Sequence, residues 1–123
     1  MEVAEFRVAL QHYLRESERV TARHGLTSQR QLLLLMVKGA RDGTERSTVG
    51  ELSDRLELAQ HTVSELVGRA VKAGLIRREV STEDRRFVHL SLTPLGERRL
   101  ARAFRDLAGE RHALRALVET MKS

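Results

Sequence analysis

Near the start of the chain Phe6, Ala9, Leu10, Tyr13, Leu14 and Ser17 fall three and four residues apart, with Arg and Glu between them. That spacing places them on one stripe of an amphipathic helix over residues near 3–22. Gly25 ends it. Thr27 can cap the next helix, and Ser28 with Gln31 offers a capping box in a competing register. The run Leu32 to Val37 is apolar nearly all round, which predicts a buried central helix stopped by Gly39. Residues 39–47 read as a loop with a short strand at its end. Thr48 and Glu51 then form a second capping box, and Val49, Leu52 and Leu56 give a third helix one narrow apolar stripe. After the turn Glu57, Leu58, Ala59 a fourth helix runs from about Gln60 to Ala73, with Val63, Leu66, Val67, Ala70 and Val71 on its apolar side.

Gly74 closes that helix and the period changes. Leu75 and Ile76 lead into a strand, and Val88, Leu90 and Leu92 alternate with His89 and Ser91, as a half-buried strand requires. From Ser81 to Arg86 no side chain is apolar, so the hairpin tip cannot be core. Thr93 as N-cap and Pro94 at the first helical position start a final helical region. In it Leu100, Phe104, Leu107, Arg111, Leu114, Val118 and Met121 follow the four-three spacing of a coiled-coil seam. Arg111 interrupts the seam, and Gly109 invites either a bend or a break into two helices. A domain whose core is formed by residues 26–92 has little need of such a stripe. Pairing with a second copy, together with the helix of Phe6 to Ser17, is the expectation.

Composition narrows the partners. The 123 residues fit one domain with helical extensions, and aromatics at 3% leave the core to Leu, Val and Ala. The chain carries 22 Lys plus Arg against 17 Asp plus Glu, a formal charge of +5, which favours nucleic acid or another polyanion as partner. The absence of cysteine excludes disulfides, thiolate zinc sites and thiol-based sensing by this chain. The longest apolar run is too short to span a bilayer and the N-terminus does not read as a signal peptide. A cytoplasmic protein without membrane association is the economical expectation.

The fourth helix turns Gln60, His61, Ser64, Glu65, Gly68, Arg69 and Lys72 away from its apolar side. These side chains suit base edges and phosphates. Two short helices joined by a tight turn, the second with a polar outer face, make a helix-turn-helix, and the hairpin after it would be its wing. Major-groove entry by the N-terminal turn would bring Gln60, His61, Thr62 and Ser64 nearest the bases, with Arg69 and Lys72 further along where phosphates pass. Arg77 and Arg78 at the wing base are phosphate candidates that strand alternation sends to opposite faces, and Arg85 adds charge at the tip. Glu65 reads as an i, i+4 partner of Arg69 rather than an acceptor from cytosine.

These segments, LTSQRQLLLL, TVGELSDRL, TVSELVGRAVKAGLIRR and above all DRRFVHLSLTPLG, resemble the MarR family of bacterial and archaeal winged-helix regulators over nearly the whole chain. The resemblance implies a mainly α fold with a small antiparallel β-hairpin. A winged helix-turn-helix lobe over residues 26–93 would be flanked by dimerisation helices at 1–24 and 94–123. It implies a homodimer on pseudo-palindromic double-stranded promoter DNA, often released by a small anionic or phenolic effector, and more often a repressor than an activator. Phe6, Leu10, Tyr13, Leu14, Leu100, Phe104, Leu107, Leu114 and Val118 would form the dimer contact. Arg86 would reach into a minor groove, with Asp84 holding it or the loop backbone. Tyr13, Arg23 and His24 are candidates near an effector crevice between the dimerisation helices and the lobe.

The chain departs from the family pattern in the turn. Glu57 stands where Gly is common, and Ala59 replaces a Ser or Thr cap, a change that costs about 1 kcal/mol. This places the start of the recognition helix to within a residue or so. An enzyme is not expected: no Gly-rich phosphate loop, nucleophile elbow or zincin spacing occurs. His12, His24, His61, His89 and His112 do not cluster in sequence, so no metal or other cofactor is expected. The alternative class is a winged helix used only for protein contacts, against which Arg69, Lys72, Arg85 and Arg86 argue.

Overall fold

A computed structural model of the chain describes residues 1–122, and Ser123, the last residue of the 94–123 stretch, lies outside them. In chain order the elements are α1 (Glu2–Arg23), α2 (Ser28–Lys38), α3 (Val49–Leu56), α4 (Gln60–Lys72), β1 (Ile76–Val80), β2 (Val88–Leu92), α5 (Pro94–Asp106) and α6 (Ala108–Lys122). The fold is mainly helical with one two-stranded antiparallel sheet. No helix among the described residues is long and apolar enough to cross a membrane. The chain divides into two compact units, Gln29–Leu100 and a second one made of residues 1–28 with those from Ala101 on.

In the Gln29–Leu100 unit the core gathers one face from every element. Leu33, Leu34 and Val37 of α2, Leu52 of α3, and Val63, Val67 and Ala70 of α4 are essentially without solvent exposure, as are Leu75, Ile76 and Leu90. The expectation of a buried central helix holds for one face of α2 only: Leu32 and Leu35 are 45% and 38% exposed. At about 100° per residue they fall away from Leu33, Leu34 and Val37, and a core of this size covers one side of an 11-residue helix. Arg55 of α3 closes the C-terminal end of α2, its Nη1 donating to the carbonyls of Met36 at 3.2 Å and Gly39 at 3.0 Å. These are carbonyls a helix end leaves without internal partners. Lys38 fastens the same end, its Nζ 3.1 Å from Glu45 and 3.0 Å from Glu97.

The capping box of α3 forms as read: Thr48 Oγ1 accepts from the Glu51 N–H at 3.2 Å, and Glu51 Oε1 accepts from the Thr48 N–H at 3.1 Å. Glu57 adopts the left-handed conformation (φ 55°, ψ 44°), the geometry that makes glycine common there and strains a side chain. Ala59 supplies no side-chain cap to α4. Ser53 does the tying instead, its Oγ donating to the Leu58 carbonyl at 2.5 Å and its carbonyl accepting from the Leu58 N–H at 3.2 Å. With the turn held this way, α4 begins at Gln60.

Gly74 (φ 77°) reverses the chain into β1, a conformation that only glycine adopts without strain. The hairpin pairs Ile76 with Leu92, Arg78 with Leu90 and Val80 with Val88. Ser47 bridges to Leu90, so the expected short strand at the end of the 39–47 loop is one bridge long. Burial in β2 falls on Leu90 and Leu92, while Val88 is 39% exposed. Thr93 begins α5 as expected: its Oγ1 accepts from the Gly96 N–H at 3.1 Å and donates to the Gly74 carbonyl at 2.5 Å. Gly96 lies so close to the Leu75 backbone that an added Cβ would collide with its carbonyl oxygen.

In the other unit α1 packs against α6, and Val20, Ala103 and Leu107 form a buried cluster with Tyr13 against it. The C-terminal region is two helices, parting at Leu107. That break corrects the seam. Leu107 is 1% exposed and Leu100 7%, so both are covered within the chain and are not open to a second copy. Phe104, three residues before Leu107, is 48% exposed. Arg111 stacks its guanidinium 3.4 Å from the Phe104 ring centroid and donates to the Phe104 carbonyl. Phe6, Leu10, Leu114 and Val118 are half-buried, Leu14 is 55% exposed, and α6 has no buried residue.

Candidate nucleic-acid interface

The face of α4 opposite Val63, Leu66, Val67 and Ala70 is built from Gln60, His61, Ser64, Glu65, Arg69 and Lys72, with Thr62 half-buried at its edge. The buried residues fix the rotation of the helix, so the polar side must face outward. Glu65 and Arg69, expected to pair, form no ion pair among the described residues. Arg69 is therefore available to an external anion. Lys72, one turn from it, is likewise without an ion-pair partner among the described residues.

The wing tip is organised by Ser81 and Asp84. Ser81 Oγ accepts from the N–H groups of Glu83 and Asp84, each at 3.2 Å. The Phe87 N–H donates to the Asp84 carbonyl at 3.0 Å, which makes Asp84 to Phe87 a four-residue turn with Arg85 and Arg86 at its centre. Asp84 Oδ1 also accepts from the Arg86 N–H at 3.0 Å, as an Asx-turn does. The same carboxylate grips the Arg86 guanidinium in a forked contact, Nε to Oδ1 at 3.0 Å and Nη2 to Oδ2 at 2.8 Å. Asp84 thus holds both the backbone and the side chain of Arg86. Hydrogen bonding from Arg86 lowers the Asp84 carboxyl below its ordinary value, and the carboxylate in turn raises the Arg86 guanidinium. Arg86 remains 85% exposed in spite of this contact, positioned and not withdrawn.

At the wing base the structure distinguishes the two arginines. Arg77 and Arg78 occupy opposite faces of β1, and Arg78 shares its face with buried Ile76. Its Nη2 lies 3.8 Å from where a Cβ on Gly68 would stand. Arg78, not Arg77, is therefore the cation laid against the polar side of α4, and Gly68 leaves room for it. The signal was present in the parity of Arg78 with Ile76. Arg77, Arg78 and Arg85 are exposed and none is ion-paired among the described residues.

The remaining candidates belong to the other unit. Tyr13 packs on Val20, Ala103 and Leu107, while His24 is held by Asp106 at 2.7 Å, and Arg23 is exposed at the end of α1. Among the described residues no group of His, Asp and Glu is placed to hold a metal ion. An open groove of about 710 Å³ in the unit of α1 and α6 is walled by Phe6, Tyr13, Phe104, Leu114 and Val118, with Arg111 at its edge.

The MarR family matches residues 24–86, from the end of α1 to the wing arginine. The HTH-type transcriptional regulator YsmB of Bacillus subtilis (strain 168), itself uncharacterised, is 43% identical over 51 residues, 42% of this chain and 35% of that protein. The match spans about a third of that relative's length. Among solved structures, the MarR family transcription regulator SP03579 is 26% identical with a TM-score of 0.71, over 96% of this chain and 74% of that one. A point mutant of MepR from S. aureus, bound to an oligodeoxyribonucleotide, shares the fold at 18% identity and a TM-score of 0.74, over 99% of this chain and 91% of that one. With the family pattern covering half of its length and the winged fold carrying it, the chain belongs to the MarR family.

Proposed function

We propose that the protein is a sequence-specific double-stranded DNA-binding regulator of transcription, acting as a homodimer on a pseudo-palindromic operator. The observation that carries this reading is the joint presentation, by one folded lobe, of the α4 polar face and an arginine held outward at the wing tip. Gln60, His61, Thr62 and Ser64 meet base edges in the major groove, Arg69, Lys72, Arg78 and Arg85 meet phosphates, and Arg86 enters the adjacent minor groove. Arg77 belongs to the outer side of the wing. The helices of residues 1–24 and 94–123 make the twofold contact through Phe6, Leu10, Tyr13, Leu14, Phe104, Leu114 and Val118, spacing two recognition helices about one duplex turn apart. The regulator works in the cytoplasm by occupying a promoter, and a small anionic or phenolic effector releases it. No catalysis is part of this role.

The reading is tested with duplex DNA from the protein's own promoter region, by anisotropy at several salt concentrations. Affinity is expected to fall steeply as salt rises, because phosphate contacts release counterions. Arg86→Ala is expected to weaken binding roughly ten- to a hundredfold with the fold intact. Salt-insensitive or absent binding would overturn the reading and leave a winged helix for protein contacts.

A further inference from the structure

The wing has an apolar end that Arg86 does not explain. Val80 and Val88 form the last pair of the β1–β2 ladder and are 55% and 39% exposed, and Phe87, directly after Arg86, is 49% exposed. A phenyl ring half exposed at the wing tip leaves apolar area open to a partner surface. Phe87 is also held by its backbone on both sides: its N–H donates to Asp84 at 3.0 Å and its carbonyl accepts from the Ser81 N–H at 2.9 Å. A shallow concavity at Val80 is lined also by Ser81, Thr82 and Arg85.

The neighbours of this patch select its occupant. Arg85 and Arg86 stand beside it, so an approaching surface must be anionic as well as apolar. The minor groove of duplex DNA is both, with phosphates at its rims and the carbon faces of deoxyribose as its walls. We infer that Phe87, at the apolar end of the wing, is a ledge that packs on the deoxyribose walls of the minor groove entered by Arg86. The inference rests on the reading of this lobe as DNA-binding. Arg86 supplies the long-range attraction, and Phe87 sets how deeply the wing seats once there, because its ring leaves water only when the groove wall closes on it.

The two contributions differ in their response to salt. Removing a cation reduces the number of counterions released, whereas removing an uncharged ring does not. With the full-length chain and promoter duplex, Phe87→Ser is expected to lose about tenfold in affinity while the slope of log K against log salt stays at the wild-type value. Arg86→Ala reduces that slope by about one. Phe87→Leu, which keeps an apolar side chain, stays within about threefold of wild type. Phe87→Lys is the sharper variant: a wing working by charge alone would bind more tightly, whereas an apolar ledge binds more weakly despite the added cation. Wild-type affinity for Phe87→Ser, or tighter binding by Phe87→Lys, would overturn the inference and leave the patch to a protein surface. Should Phe87→Ser fail to fold, Phe87→Leu and Phe87→Lys still decide. Failure of the wild-type chain to bind duplex would instead remove the DNA reading itself, so the two failures are distinguishable.

Discussion

The two units carry apolar stripes of similar spacing and treat them differently. In Gln29–Leu100 each stripe meets another: α2, α3, α4 and the hairpin all turn fully buried residues inward, among them Leu34, Leu52, Val63 and Leu90. In the unit containing α1 and α6, burial is confined to a few positions such as Val20, Ala103 and Leu107, and α6 buries none of its 15 residues. The first unit has a closed core because four elements surround one another. The second has an open apolar groove because two principal helices can cover each other on one side only. Identical periodicity therefore has two outcomes, set by how many elements are at hand to close over it. An open apolar groove of this kind is where a second copy would add the missing layer.

This contrast can be broken by mutation. Its largest expected effect is in the closed unit: Leu52→Ala, at a position with 0% exposure, should lower unfolding stability by about 2–5 kcal/mol at any protein concentration. Denaturant unfolding at two concentrations checks it. Leu114→Glu, in the open groove, should instead shift the chain from dimer to monomer in sedimentation. If Leu114→Glu changes nothing there, the groove belongs to the chain's own packing. A smaller loss is expected from Thr48→Ala, which removes the α3 cap and should cost about 1 kcal/mol, again independent of concentration. The smallest effect concerns the wing. The Asp84 carboxyl is lowered below its ordinary 3.8 by hydrogen bonding from Arg86, so its hold on the tip is complete above that value and is lost as pH falls through the lower folded-state value. NMR signals of Arg86 should therefore remain those of a fixed guanidinium down to about pH 4 and average out only in stronger acid. Signals already averaged at neutral pH would show that Asp84 does not restrain Arg86.

Much of the lobe was legible in the sequence because its signals are local. The Thr48–Glu51 box, the turn ending at Ala59, the start of α4 at Gln60, the Gly74 reversal and the Thr93–Pro94 helix start each depend on residues within a few positions of one another. The polar face of α4 followed from period alone, and the role of Asp84 from the family resemblance together with a carboxylate's inability to favour DNA by charge. What escaped depended on distant packing. Strand parity sends Arg77 and Arg78 to opposite faces, and the room that Gly68 leaves beside Arg78 shows where that side chain lies. Leu32 and Leu35 look as apolar as Leu33 and Leu34, and only the amount of core available leaves them exposed.

The seam that begins at Leu100 marks the same boundary. Its spacing from Leu100 to Met121 is set by the sequence, as are the basic charge, the helix-turn-helix and the wing, since each is written in short-range order. Whether Leu107 lies in a seam or in a core was decided by tertiary structure. A break between α5 and α6 rotates the positions after it, and burial depends on what the rest of the chain brings to each side chain, a long-range property that periodicity does not encode.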